Sequence, residues 1–231
     1  RALGGPSNLR RGLLSVLLVQ LVSSGVGLSC SDVADGNVFV AKTVTSIANY
    51  AFRNCDALKS ITFEADSALE TIGEMAFYSS GLTAIAVPAS VTSIAGMAFQ
   101  SCSDLTSVTF EADSALETID YQAFAVSGLT TIVVPASVTS IANSAFNSCS
   151  RLTSVTFEAD FALETIDERA FYKTGLTTIA VPASVKTIAG WAFEQCLDLT
   201  AVEFSCSAHA MTIADTAFVN CPKIVRISLP A

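Results

Sequence analysis

The sequence predicts a repeat solenoid, in which short parallel strands stack around one long, thin core. Landmark residues recur at a fixed step of 47, which is the signature of a repeat architecture. Each 47-residue unit is itself two related halves, one beginning VTSIA and the other LETI. The step separates the members of two sets: Cys55, Cys102, Cys149 and Cys196, and Phe52, Phe99, Phe146 and Phe193. We therefore expect a core built by stacking neighbouring repeats.

The N-terminal segment, residues 1–29, has the pattern of a secretory signal peptide with cleavage near Cys30. A pair of arginines precedes the apolar run GLLSVLLVQLV, and small residues follow it. If this interpretation holds, the rest of the chain faces an oxidising compartment. A signal anchor over Gly12–Ser31 and an N-terminal capping helix stay open as alternatives. Because the chain begins with Arg1, we expect a processed chain or a fragment.

Residues 30–43 are predicted to form an N-terminal cap with a partial repeat. The stretch VFVAKT at Val38–Thr43 aligns with IAVPAS of later repeats. Eight repeats over residues 44–231 are expected to follow. The sequence ends at Ala231, just after the last predicted strand, so we expect that further sequence follows or that this end associates with another molecule. The repeats start at Val44, Leu69, Val91, Leu116, Val138, Leu163, Val185 and Met211.

Every repeat contains the pattern L-x-x-I/V-x-F/V/L, as in Leu58, Ile61 and Phe63. Alternation of the last two apolar positions with Thr or Ser predicts a strand with one buried face. Because each strand is one step of a repeat, neighbouring strands should be parallel and in register. Proline is expected to end the strand in three repeats, at Pro88, Pro135 and Pro182.

The other half of each repeat, such as IANSAFNSC, has apolar residues at helix-like spacing over only about two turns, too short to be stable alone. It is interpreted as a short helix or 3₁₀ turn, or in part as a second short strand around VTSI. Its phenylalanine should point inward and form one stacked column. The members of this column are Phe52, Phe77, Phe99, Phe124, Phe146, Phe171, Phe193 and Phe218.

The combined pattern I-x-x-x-A-F-x-x-C-x-x-L-x-x-V-x-F, followed by G-L-T-x-I-x-V-P-x-S-V, resembles the BspA-type leucine-rich repeat from about Val44 to Pro230. The resemblance implies a right-handed, curved leucine-rich-repeat solenoid with a parallel sheet on its concave side. It also implies a surface or secreted protein that binds host or extracellular proteins. The asparagine ladder of ordinary leucine-rich repeats is replaced, so we expect other side chains to bond to loop backbone: Asp66, Asp113, Asp160, Ser90, Ser137 and Ser184.

The outward strand positions form a broad, uncharged surface rich in Thr and Ser, with about 4.8 Å between strands. Three interpretations are open: the β-propensity of Thr alone, a protein-binding face, or a water-ordering array as in ice-binding solenoids, which curvature disfavours. The candidate binding residues are Thr83, Thr106, Thr109, Thr130, Thr131, Thr153, Thr156, Thr177, Thr178 and Thr200.

Composition argues against several classes of function. The formal net charge of -9 and the 14% of charged residues do not favour nucleic-acid binding, which needs clustered Lys and Arg. The sequence has no Gly-rich phosphate loop, and its single histidine, His209, has no obvious catalytic partners. We expect no enzyme activity, cofactor, metal or small-molecule substrate. The repeated Glu and Asp residues are interpreted as solvated turn residues, with contact to a cation or a basic partner as the alternative.

Seven cysteines raise the question of disulfides. The four cysteines of the 47-residue step lie two strand spacings apart, about 10 Å, too far to bridge one another. They are therefore predicted to be a buried column of free thiols. Cys30, Cys206 and Cys221 stand outside that pattern, and a Cys206–Cys221 bridge is one possibility. The C-x-x-H spacing of Cys206 and His209 is a faint zinc signal, which irregularity of a terminal repeat explains equally well.

The predicted function is a non-catalytic protein-binding or adhesion module, secreted or surface-displayed, whose partner is an extracellular or cell-surface protein. It would bind through its concave Thr/Ser-rich sheet. Two alternatives remain, an ice- or surface-binding solenoid that uses the Thr array and an intracellular scaffold if the leader is not a signal. Membrane contact is expected only if the apolar N-terminal stretch is retained.

Overall fold

A computed structural model describes residues 27–205 and 210–228, and in them the chain is a solenoid of parallel strands with almost no helix. One 3₁₀ helix, Cys30–Asp32, precedes the strands. Each following turn contributes one long and one short strand. In chain order the strands are β1 (Asn37–Val40), β2 (Ser46–Ile47), β3 (Ser60–Phe63), β4 (Thr71–Ile72), β5 (Ala84–Val87), β6 (Ser93–Ile94), β7 (Ser107–Phe110), β8 (Thr118–Ile119), β9 (Thr131–Val134), β10 (Ser140–Ile141), β11 (Ser154–Phe157), β12 (Thr165–Ile166), β13 (Thr178–Val181), β14 (Thr187–Ile188), β15 (Ala201–Phe204), β16 (Thr212–Ile213) and β17 (Arg226–Ser228).

The short strands form one continuous parallel sheet that runs in order from β2 to β16. Equivalent residues pair from turn to turn, as Ile94 does with Ile119. The isoleucine of each short strand is buried up to β14, whereas Ile213 in β16 is 40% exposed. The second short strand predicted around VTSI is therefore confirmed.

The long strands are also parallel and in register, but their sheet is segmented. Strands 23 residues apart pair at all four positions, as β5 does with β7 and β9 with β11. Between such pairs the ladder weakens, so that β3 and β5 pair only through Ser60 and Ala84, while β7 and β9 belong to separate sheets. At these joints the residue that would extend the ladder is Pro88, Pro135 or Pro182, and proline has no N–H to donate. The expected single sheet is thus interrupted at the prolines that end its strands.

The segment around each phenylalanine is not a helix, so that interpretation was wrong. In the turn at residues 97–101, the N–H groups of Met97, Phe99 and Ser101 donate to carbonyls of the next turn at 2.7 to 2.8 Å. The intervening residues donate within their own turn, as Ala98 does to Ala95 at 3.2 Å. Met97 and Ser101 adopt positive φ, 59° and 61°, which aims alternate N–H groups along the solenoid axis. An α-helix would satisfy these groups internally and leave neighbouring turns without this ladder.

The predicted phenylalanine column is confirmed. Adjacent rings from Phe52 to Phe218 lie 5.0–5.4 Å apart between centroids with interplanar angles of 1–11°. Such parallel stacking adds to the free energy gained by burial. Seven of the eight side chains are completely buried, and Phe218 is partly buried against the same core. The column is the centre of the hydrophobic core.

The cap contains a disulfide that the sequence analysis missed. Cys30 and Cys55 are bonded, with their Cα atoms 5.7 Å apart. The expectation that Cys55 is a free thiol was wrong, because Cys30 lies outside the 47-residue repeat but one turn before Cys55 in space. At the cap, β1 pairs in parallel with β3 at four positions, as the long strands of later turns do. The predicted signal segment, 1–29, lies outside the described residues except for residues 27–29.

We predict that Phe124→Ala lowers the free energy of unfolding by about 3–5 kcal/mol, because it leaves a cavity between two stacked rings that the neighbouring turns cannot fill. Phe39→Ala is the matched control, since Phe39 is 42% exposed on a strand and its loss should cost below about 1 kcal/mol. Denaturant titration followed by circular dichroism measures both. A loss below about 1 kcal/mol for Phe124→Ala would show that the column is not the core.

Candidate functional site

The candidate binding surface consists of the outward side chains of the long strands, two from each strand, and is called the strand face below. Burial alternates along most of these strands, so the first and third residues point outward, as Thr131 and Val133 do in β9. The exceptions are Ala201 in β15, which is buried, and Ile227 in β17, which is exposed. The outward residues are Asn37, Phe39, Ser60, Thr62, Ala84, Ala86, Ser107, Thr109, Thr131, Val133, Ser154, Thr156, Thr178, Ala180, Ala201, Glu203, Arg226 and Ser228. Most are short and uncharged, as the sequence analysis predicts.

Six of the ten predicted site residues lie beside the strand face, where their hydroxyls belong to a structural ladder. Each sits just before a long strand and donates its hydroxyl hydrogen to a carbonyl of the preceding turn, at 3.0–3.5 Å. Their backbone N–H groups donate to the same carbonyls. The six are Thr83, Thr106, Thr130, Thr153, Thr177 and Thr200. Their near uniformity therefore has a structural explanation.

The other four predicted residues project from the strand face itself. Thr109, Thr131, Thr156 and Thr178 are exposed, and within the described part of the chain their hydroxyls form no hydrogen bond to protein. Each hydroxyl is therefore free to donate to, and accept from, a partner. Only these four of the ten offer both functions.

Larger side chains interrupt the strand face at three places. Phe39 near the cap is 42% exposed, and Val133 in β9 is 51% exposed. Near the other end, Arg226 pairs with Glu203 of the adjacent strand. Since this ion pair holds both charges of the strand face, the surface carries almost no net charge and has two apolar points of contact.

The loops after the long strands carry a ladder of their own, which involves glutamate. The carboxylates of Glu64, Glu111 and Glu158 accept the backbone N–H of Lys42, Ala89 and Ala136 in the loop one turn back, at 2.9–3.2 Å. These glutamates are thus more than the solvated turn residues that the sequence analysis predicts. A charge-assisted bond of this kind ties the loop that carries each of these three glutamates to the loop one turn back.

The predicted replacements for the asparagine ladder divide into two groups. Ser90 and Ser137 donate to loop carbonyls, including that of Leu69 at 2.7 Å, which confirms the expectation for them. The hydroxyl of Ser184 is buried without a partner in the described residues. The aspartates contribute a backbone conformation instead, since Asp66, Asp113 and Asp160 adopt φ of 56–61°.

A second surface, called the turn face below, was missed by the sequence analysis. Most of its side chains are exposed or partly exposed, whereas Ser144 is buried. The turn face is formed by the residues two before and two after each column phenylalanine, most of which have positive φ. The residue two positions before the phenylalanine changes its identity from each turn to the next, except between Met75 and Met97, although the strands of successive units are nearly identical. These residues are Tyr50, Met75, Met97, Gln122, Ser144, Arg169, Trp191 and Thr216. Comparing the 47-residue copies position by position would have revealed this variation.

Cation–π contacts join side chains on and beside the turn face. The Arg53 guanidinium lies 5.7 Å from the ring centroid of Tyr50 and 5.4 Å from that of Tyr78. Arg169 lies 5.0 Å from the ring of Trp191. Such exposed contacts stabilise the side-chain arrangement by about 0.5–1 kcal/mol each.

The buried thiols of Cys102 and Cys149 do not form a nucleophilic site. Burial raises the pKa of Cys149 to about 11 and also raises that of Cys102. Both therefore stay protonated at neutral pH, and their thiols donate to Phe124 and Phe77 carbonyls. Among residues 27–205 and 210–228 no cluster of His, Cys, Asp and Glu could hold a metal ion, and no helix is long and apolar enough to cross a membrane.

The predicted bridge and zinc signal involve residues that are only partly described. Cys206 and His209 lie outside the described residues. Cys221 is described and carries a free thiol.

Comparison with protein families yields a match over most of the chain. A model of the BspA-type leucine-rich repeat region matches residues 36–153 and 117–231, with six copies. No functionally curated protein matches the chain.

Two solved structures resemble the fold. A leucine-rich repeat protein from Bacteroides ovatus is 24% identical, with a TM-score of 0.67 over 86% of this chain and 56% of its own. The pneumococcal vaccine antigen PcpA is 25% identical, with a TM-score of 0.62 over 84% of this chain and 51% of its own. The chain therefore spans about half the length of these two proteins.

We predict that Glu158→Ala lowers the free energy of unfolding by about 0.5–1.5 kcal/mol, because the Ala136 N–H loses its carboxylate acceptor. Glu117→Ala is the control, since the side chain of Glu117 is exposed and makes no bond to described residues. Urea titration of the two variants gives the comparison. Equal losses would mean that the glutamate ladder contributes nothing to stability.

Proposed function

Because the chain belongs to the BspA-type leucine-rich repeat family, we propose that it is a non-catalytic protein-binding module, secreted or displayed on the cell surface. Its partner is an extracellular or cell-surface protein, which it contacts through the strand face. The observation that carries this proposal is the row of mostly short, exposed side chains that the long strands contribute along the stack. A preformed surface of short side chains loses little conformational entropy when a partner binds.

The chemistry of the strand face favours a partner surface of mixed polarity and low charge. Thr109, Thr131, Thr156 and Thr178 supply hydroxyls that no described residue uses, while Phe39 and Val133 supply exposed apolar area. A highly charged partner would find no complementary charges beyond the Glu203–Arg226 pair. Affinity then grows with the number of turns engaged, through many weak contacts.

The extracellular location has its own support. A disulfide such as Cys30–Cys55 persists in oxidising compartments and is rare in the cytosol. The similar protein PcpA is a vaccine antigen, which agrees with exposure at a cell surface. The sequence pattern of residues 1–29 points the same way.

The role of the strand face in binding can be tested with a substitution that places arginine at a position where another turn of the solenoid already has one. Arg226 occupies the position equivalent to Thr131 and Thr178, so Thr131→Arg with Thr178→Arg should fold normally. We predict that the double variant binds a partner at least about tenfold more weakly, because two cations are buried without counter-charges. Surface plasmon resonance against a panel of purified extracellular-matrix and cell-surface proteins supplies the partner and measures its affinity.

The matched control for this test lies on the turn face. Lys173 is the equivalent of Val126, two residues after the column phenylalanine, so Val126→Lys is tolerated by the fold and should leave binding unchanged. Weaker binding in Val126→Lys alone would move the site to the turn face. Absence of binding to every protein of the panel, together with thermal hysteresis in ice-growth assays, would replace the proposal by the ice-binding alternative.

A further inference from the structure

Two pairs of cysteines in this chain are separated by 25 residues, and only the first is bonded in the structure. Cys30 and Cys55 form the disulfide at the cap. Cys196 and Cys221 have the same separation and carry free thiols. Twenty-five residues is also the step from Phe193 to Phe218, whose rings stack with centroids 5.0 Å apart and planes within 3°. The second cysteine pair therefore sits on adjacent turns in register.

The position three residues after each column phenylalanine forms an interior column of its own. From Cys55 to Cys196 this column alternates between a cysteine and a serine or threonine, so that no two of these cysteines lie on adjacent turns. The sole exception in the described turns is the step from Cys196 to Cys221. The members are Cys55, Ser80, Cys102, Ser127, Cys149, Thr174, Cys196 and Cys221.

The hydrogen bonds show what each thiol of this column faces. Cys102, Cys149 and Cys196 donate to the phenylalanine carbonyl one turn back, at 2.8, 3.0 and 3.1 Å. Each sulfur also lies 3.2–3.5 Å from the hydroxyl oxygen of the residue three positions after that phenylalanine, which is Ser80, Ser127 or Thr174.

Cys221 repeats this arrangement one turn further on. It donates to the Phe193 carbonyl at 2.9 Å. The residue three positions after Phe193 is Cys196, whereas the equivalent residue for the other three thiols is a serine or threonine. The sulfur of Cys221 therefore faces a second sulfur where the other thiols face a hydroxyl.

We propose that Cys196 and Cys221 are a second disulfide site, which forms under oxidising conditions and staples the last described turn to the solenoid as Cys30–Cys55 staples the first. In-register stacking keeps the two backbones within the range that a disulfide spans. The bond closes a loop of the same length as that at the cap. Both ends of the described stack would then be covalently tied to their neighbouring turns.

The two sulfurs have different roles in the exchange with a small-molecule disulfide such as oxidised glutathione. The half-buried Cys221 thiolate attacks one glutathione sulfur, which forms a mixed disulfide and releases one glutathione thiol. Cys196 then loses its proton, and its sulfur displaces the second glutathione. One S–S bond breaks and one forms, two electrons pass from the protein to glutathione, and the two protein protons end on the released thiols.

The acidities of the two thiols fit this order. The contact with Cys196 lowers the pKa of Cys221 below its ordinary value, which favours the thiolate of Cys221. The same contact, together with burial, raises the pKa of Cys196. Cys221 is also the more exposed of the two.

The test equilibrates the full chain with oxidised and reduced glutathione, blocks remaining thiols with an alkylating reagent, and maps linked peptides by mass spectrometry. We expect a peptide linked through Cys196 and Cys221 and, relative to protein in which only Cys30–Cys55 is oxidised, two fewer alkylated thiols and a rise in Tm of roughly 5 °C or more. Cys221→Ser should abolish all three. This variant recreates the thiol–hydroxyl pair of the other turns and should fold.

Cys149→Ser is the control, since it removes a thiol that faces a hydroxyl and should leave the linked peptide in place. Two results would overturn the proposal. One is a peptide that links Cys221 to Cys206 instead of Cys196. The other is complete alkylation of Cys196 and Cys221 after denaturation of a sample in which Cys30–Cys55 is oxidised.

Discussion

Each turn of this solenoid must satisfy its backbone hydrogen bonds by pairing with the turns on either side. Almost no helix is present in the described residues to satisfy them locally, and a buried unpaired N–H or C=O is costly. Three ladders meet this requirement: the long strands, the short strands and the segment around each phenylalanine. Because the ladders hold successive turns in register, equivalent side chains must stack directly on one another. The phenylalanine column and the thiol–hydroxyl column both follow from that register.

Features that depend on burial and period were predictable from the sequence. The 47-residue step and the alternation of apolar residues gave the parallel long strands, and the inward phenylalanines gave the stacked column. The segment around each phenylalanine was not predictable as helix or strand, because its conformation is set by donors that bond to another turn. The segmentation of the long-strand sheet depends on the missing N–H of residues such as Pro135. The Cys30–Cys55 bridge depends on where the cap meets the first turn, which lies outside the repeat.

The candidate site shows how uniform and variable columns differ in meaning. Residues such as Thr106 and Thr130 recur because each donates its hydroxyl hydrogen to the turn before it, so their uniformity reflects the stack itself. Thr131 and Thr156 on the strand face have no such duty and remain available to a partner. The turn face varies from copy to copy because its side chains leave the ladder unchanged. Sequence alone could not separate the two kinds of threonine, since both precede or occupy a strand.

Deletion of residues 91–137 tests whether the stability of the solenoid resides in contacts between neighbouring turns. This removes 47 residues and joins Ser90 to Val138, so that PAS is again followed by VTSI and every ladder keeps its register. We expect a shorter protein that is still folded, with the circular dichroism of parallel strands, a cooperative unfolding transition and a lower free energy of unfolding. An unfolded or aggregated product would contradict this expectation, because a core that needs all of its turns is not held together by neighbours alone.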